Sequence, residues 1–230
     1  MDAQRLAAAG VHVFTALGAL CALMAALAIG EGAWERVFLW LGVAFVIDGV
    51  DGYFARLLDV GRWLPRFSGE RLDLVVDFLT YVFIPVLALR AGGFLPGTMG
   101  LLLAAAIVLT SLFHFADVES KAEDHSFVGF PAVWNVVAFY LFAFAAPPAV
   151  AAGVVVTGAA LAFVPFKWVH PLRVRALRGV TLAFTALWAI AALATLYVGF
   201  PALPGLKAVL AVVAVYGVGL ALLWSRRSDG

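Results

Sequence analysis

Four aspartates lie where an apolar sequence leaves little room for charge. Asp48 and Asp51 follow the apolar run 37–47 without a break in helical character. Their i, i+3 spacing puts them on one helix face. Gly49 and Gly52 sit between and beside them, and Ala55 and Arg56 come one turn later. After a basic stretch, Gly69 precedes Asp73 and Asp77, which are spaced i, i+4 and again share a face. Two antiparallel helices with a short connection can turn the two faces toward each other. Carboxylates brought so close repel unless protons or a cation offset them. A hard, all-oxygen cluster suits Mg²⁺ or Mn²⁺, which also take phosphate oxygens as ligands. Glycine costs about 1 kcal/mol relative to alanine inside a helix, so glycines beside the acids suggest close approach of a ligand to the backbone. Arg56 adds a forked cation suited to phosphate.

The elements that must hold these groups belong to a membrane. The chain has 230 residues, 65% hydrophobic and 13% charged, against about 25% charged in an ordinary soluble domain. So much apolar surface calls for a bilayer as solvent. Eight apolar segments are expected as transmembrane helices, over 7–29, 37–58, 72–90, 97–115, 128–146, 149–166, 180–199 and 206–224. The fold class is therefore an all-α integral membrane protein, a polytopic bundle of about eight helices, with residues 1–230 as a single membrane-embedded domain. The first segment is too long for the apolar core of a cleaved signal peptide and is expected to be retained. A single cysteine, Cys21, excludes a disulfide framework or thiolate metal site within one chain. The net charge of +1 gives no reason to expect nucleic acid as a partner.

With eight spans both termini share one side. That side collects twelve of the 15 Lys and Arg residues, leaving Arg36, Arg90 and Lys207 opposite. The bias places both termini and the aspartates toward the cytoplasm. An ion-transport reading of buried acids predicts carboxylates strung along a pathway. These acids concentrate at one depth in two consecutive helices. A purely structural role, as hydrogen-bonded groups or a proton relay, is the other alternative for any one of them.

The segment DGVDGYFARLLDVGRWLPRFSGERLDLVVD resembles the signature of the CDP-alcohol phosphatidyltransferases, D-x2-D-G-x2-A-R, a spacer, then G-x3-D-x3-D. Asp48, Asp51, Gly52, Ala55, Arg56, Gly69, Asp73 and Asp77 occupy its fixed positions. The spacer of 12 residues after Arg56 is longer than usual in the family. That spacer, with FHFADVESKAEDHSFVGFPAVWNVVAFYLF at 113–142 and FVPFKWVHPLRVR at 163–175, resembles the bacterial phosphatidylcholine synthase branch. The resemblance covers most of the chain. It implies transfer of a phosphatidyl group from CDP-diacylglycerol to choline, with release of CMP, at a bacterial cytoplasmic membrane. It also implies two divalent ions held by Asp48, Asp51, Asp73 and Asp77, and Asp77 as the base for the acceptor hydroxyl. Gly52, Ala55, Arg56 and Gly69 would line the CDP site, and a homodimer is expected. The same family with serine, glycerol phosphate or inositol as acceptor is the near alternative; a membrane cation transporter is the distant one.

A quaternary ammonium is recognised by aromatic faces and carboxylates. The loop acids Asp117, Glu119, Glu123 and Asp124 precede Phe127, Phe130, Trp134, Phe139 and Tyr140. Glu123, Trp134, Asn135 and Tyr140 are the residues expected to contribute to a choline pocket. Interfacial anchoring is the competing role for the aromatics. The basic group Lys167, His170, Arg173, Arg175 and Arg178 is expected to fix topology and meet anionic lipid, with contact to the donor phosphates open for Lys167 and His170. His12 is read as a satisfied buried polar group.

Overall fold

The computed structural model describes residues 3–117, 127–164, 167–168 and 178–227. The chain begins with α1 (Ala3–Gly30) and α2 (Trp34–Leu57), then a single turn, α3 (Val60–Trp63). Next, α4 (Gly69–Asp77) runs through a π-helical stretch, Phe78–Phe83, into α5 (Ile84–Ala91). There follow α6 (Gly97–Ala116), α7 (Trp134–Phe144), α8 (Pro148–Leu161), α9 (Arg178–Val198) and α10 (Pro204–Arg227). Among the described residues, six helical stretches are long and apolar enough to cross a bilayer, α4–α5 counting as one continuous stretch, Gly69–Ala91. The expected polytopic bundle is therefore observed.

The fifth and sixth helices are shorter than the sequence suggests. At 1.5 Å per residue, α7 and α8 span only about 17 and 21 Å of a hydrocarbon core about 30 Å thick. The shortfall of α7 has a local cause. Gly129 (φ +81°) and Ala132 (φ +52°) lie in the left-handed region, and Pro131 between them has no N–H and disfavours helix in the residue before it. The segment before α7 is therefore irregular, and its polar backbone is satisfied inside protein. Phe130 N donates to Leu161 O at 2.9 Å. A two-residue antiparallel ladder joins β1 (Phe127–Val128) to β2 (Lys167–Trp168), pairing Phe127 with Trp168 and Val128 with Lys167. This ladder is the one departure from an all-α chain among the described residues.

Close approach between helices follows small residues, as is usual in lipid. The buried face of α1 is Ala8, Val11, Thr15, Gly18, Cys21, Ala22, Ala25 and Ala28. A Cβ on Gly18 would stand 2.5 Å from Val76 Cγ1, so the missing side chain is what admits α4. At the far end of the bundle, Phe38, Phe94, Phe142 and Phe200 pack ring against ring, with Phe94 and Phe142 centroids 4.5 Å apart. Glu35 pins that end by accepting Phe200 N at 3.1 Å. At the end carrying the aspartates, the long spacer turns at Asp59 (φ +45°) and forms α3, whose Val60 packs on Ala8 and Val11 of α1.

Candidate active site

Helix α2 delivers two acids and α4 two more. Oxygens of Asp48, Asp73 and Asp77 all come within 4.8 Å of one another, and each residue is half-buried. The pairing expected from helix-face spacing is therefore realised for three of the four. Asp51 is more deeply buried, 6% exposed, and its Oδ2 accepts a hydrogen bond from Thr15 Oγ1 of α1 at 2.7 Å. Asp48 Oδ2 accepts one from the Tyr81 hydroxyl at 2.6 Å. Asp77 Oδ1 is buried and has no hydrogen-bond partner among the described residues.

Local geometry explains why these contacts form. Asp73, Asp77 and Tyr81 recur every fourth residue, so they lie along one side of the span. Directly after Asp77 the helix widens into the π stretch Phe78–Phe83. Pro85 follows closely, has no N–H to donate and clashes with a carbonyl four residues back in an α-helix. A widened turn is a common way to absorb such a break, and such turns recur at functional sites.

The divalent-metal expectation passes a test of fit. Three carboxylates offer convergent hard oxygen ligands, and one buried oxygen has no partner among the described residues; both features suit a small hard cation. Among the residues expected at the CDP site, a Cβ on Gly52 would stand 3.3 Å from an Arg56 guanidinium nitrogen, so Arg56 folds back along its own helix toward that glycine. Ala55 packs against the Ala8–Val11–Val60 cluster. Gly69 abuts His12, whose Cε1 would be 3.3 Å from an added Cβ.

The polar groups of Trp134, Tyr140 and Asn135 find partners in the helix packing. Trp134 is 1% exposed and donates Nε1–H to Ser111 Oγ at 2.9 Å. Its ring is set against Gly158 of α8, where a Cβ would come within 2.7 Å. Tyr140 donates to Leu210 O at 3.0 Å. Asn135 Oδ1 accepts from Val136 N at 2.8 Å. Glu123, like Glu119, Lys121, Asp124, His170, Arg173 and Arg175, lies outside the described residues. The reading of His12 as satisfied is corrected: its Nε2 is buried with no hydrogen-bond partner among the described residues. Thr15 and Tyr81 are site residues that motif reading passed over. Their signal was spacing, a hydroxyl inside an apolar span and a tyrosine one turn beyond Asp77.

The helical bundle and its acid cluster fit a polytopic membrane enzyme of the CDP-alcohol phosphatidyltransferase class, and similarity to known proteins bears this out. No family model matches the chain. Curated relatives do. Phosphatidylcholine synthase of Bradyrhizobium diazoefficiens is 49% identical over 188 residues, 82% of this chain and 70% of that protein. The enzyme of the same name from Pseudomonas aeruginosa is 43% identical over 182 residues, 79% of this chain and 76% of that protein. That of Brucella melitensis is 40% identical over 188 residues, 82% of this chain and 68% of that protein. The chain belongs to the phosphatidylcholine synthase family.

Proposed function

We propose that this enzyme moves the phosphatidyl group of CDP-diacylglycerol onto choline, giving phosphatidylcholine and CMP, with help from divalent metal. The observation that carries the reading is the convergence of Asp48, Asp73 and Asp77 carboxylate oxygens within 4.8 Å of one another, in a chain of this family. Asp48, Asp51, Asp73 and Asp77 would hold the ions, and an all-carboxylate donor set suits Mn²⁺ or Mg²⁺. When bound, the metal neutralises pyrophosphate charge and stabilises the charge that passes to CMP.

The protein's own groups carry the rest. Asp77 takes the proton of the choline hydroxyl through the carboxylate oxygen that metal leaves free. The choline oxygen forms a bond to the phosphorus of the phosphatidyl group, and the bond from that phosphorus to the CMP oxygen breaks. Thr15 fixes Asp51 and Tyr81 fixes Asp48, so the carboxylates need little reorganisation as charge moves. Gly52, Ala55, Arg56 and Gly69 would border the CDP group, and the bundle would present this end to the cytoplasm of a homodimeric enzyme. Trp134 and Tyr140 have partners in the helix packing, so the choline reading rests on the family and on Asp77, not on these aromatics.

The decisive experiment supplies membranes containing the protein with CDP-diacylglycerol, Mn²⁺ and labelled choline. Labelled phosphatidylcholine with equimolar CMP is the expected product. Incorporation of serine in place of choline would reject the acceptor; turnover undiminished by EDTA would reject the metal centre.

A further inference from the structure

His12 is left unused by the reaction as described, yet its surroundings are those of a ligand contact. Its Nε2 is buried without a hydrogen-bond partner among the described residues. Such an atom is costly to bury and calls for an explanation. Across from it, Gly69 has no side chain, and a Cβ there would meet His12 Cε1 at 3.3 Å and Nδ1 at 3.7 Å. The ring of Phe67 lies edge-on to the imidazole, centroids 6.4 Å apart. Phe67 is itself 61% exposed. One turn along α1, Thr15 holds Asp51, and Gly69 beside His12 opens the helix that carries Asp73 and Asp77, so His12 lies next to both acid-bearing helices.

Position narrows what the ligand is. Gly69 precedes Asp73 by four residues, about 6 Å along the helix, toward the end of the bundle where the chain leaves the membrane. A donor whose acyl chains run into the bilayer and whose phosphates meet the acids must extend its leaving nucleotide the other way. That path passes His12 and Phe67. We propose that His12 Nε2 hydrogen-bonds the nucleoside of the leaving nucleotide, with Phe67 offering its ring face to the base. Bases stack on aromatic side chains in this manner. The proposal rests on the phosphatidyl-transfer reading above. Nε2 is closed to solvent, so a ligand reaches it only by displacing a neighbouring side chain, and exposed Phe67, its ring edge-on to the imidazole, is the candidate.

The test compares two ligands on purified protein by calorimetry in Mg²⁺: CMP, which has a nucleoside, and inorganic pyrophosphate, which has none. His12→Phe keeps a ring against Gly69 and removes the nitrogen. The expected result is about tenfold weaker CMP binding, the scale of one lost hydrogen bond, with pyrophosphate binding unchanged. His12→Gln, whose amide reaches the Nε2 position, should recover part of the loss. Unchanged CMP affinity in His12→Phe overturns the proposal, as does an equal loss for pyrophosphate. If His12→Phe does not fold, His12→Asn, which reaches only the Nδ1 position, takes its place with the same expectation. Should the unaltered protein bind pyrophosphate but not CMP, both this proposal and the phosphatidyl-transfer reading fall. A loss confined to the variants leaves that reading intact.

Discussion

Asp48 and Asp51 stand one turn apart on α2 yet have different partners. Tyr81 holds the first and Thr15 the second, each through a hydroxyl donated to Oδ2. Residues that orient metal ligands typically matter about 10–100-fold to metal affinity. Tyr81→Phe should therefore weaken Mn²⁺ binding by about tenfold, read directly by electron paramagnetic resonance of the protein without substrate. Undiminished affinity would show that Asp48 is oriented without Tyr81. Asp77 differs from both, because its Oδ1 is buried and unpartnered among the described residues. Asp77→Asn should abolish turnover while CDP-diacylglycerol binding stays measurable, since the amide cannot take the acceptor's proton. Full activity in that variant would remove Asp77 from the role of base.

At the scale of elements, the site depends on how closely α4 can approach α1. Val76 fills the space that Gly18 leaves open, and a β-branched side chain has little freedom to move aside. Gly18→Val should destabilise the bundle by about 1–3 kcal/mol and lower activity by displacing the aspartates of α4. Val76→Ala in the same chain should restore part of both, as followed by thermal unfolding in detergent and by turnover. No recovery would mean that the Gly18 contact is not what sets the spacing. The π stretch after Asp77 is a second such device. It lies between the acids and Pro85, so the helical break imposed by the proline is absorbed next to Tyr81 rather than at the acids.

For the molecule as a whole, the arrangement has two ends of different character. The aspartates, Arg56 and the turn through Asp59 mark one end; the phenylalanine cluster locked by Glu35 marks the other. The Lys and Arg bias leads us to expect the first end at the cytoplasm. Ser68 lies in the connection that caps α4. With Cys21 replaced by Ala, Ser68→Cys should react with a membrane-impermeant maleimide in inside-out vesicles and stay unlabelled in right-side-out ones. The reverse pattern would invert the topology. The short α7 and α8 leave this expectation untouched, because two consecutive crossings, or two that fail to cross, return the chain to the same side.

Much of this was legible before any coordinates. Hydropathy declares the bundle because lipid admits little except helices with satisfied backbones. The motif spacing declares two carboxylate faces because helical periodicity is local. Other features required the folded chain. The shortening of α7 came from a Gly-Phe-Pro-Ala stretch whose left-handed backbone an apolar window cannot register. The separation of Asp51 from the other three acids depends on Thr15, 36 positions away. The partners of Trp134 and Tyr140 are likewise set by Ser111 and Leu210, on other helices. Periodicity along one helix determines which residues share a face; which face meets which neighbour is decided only when the helices pack.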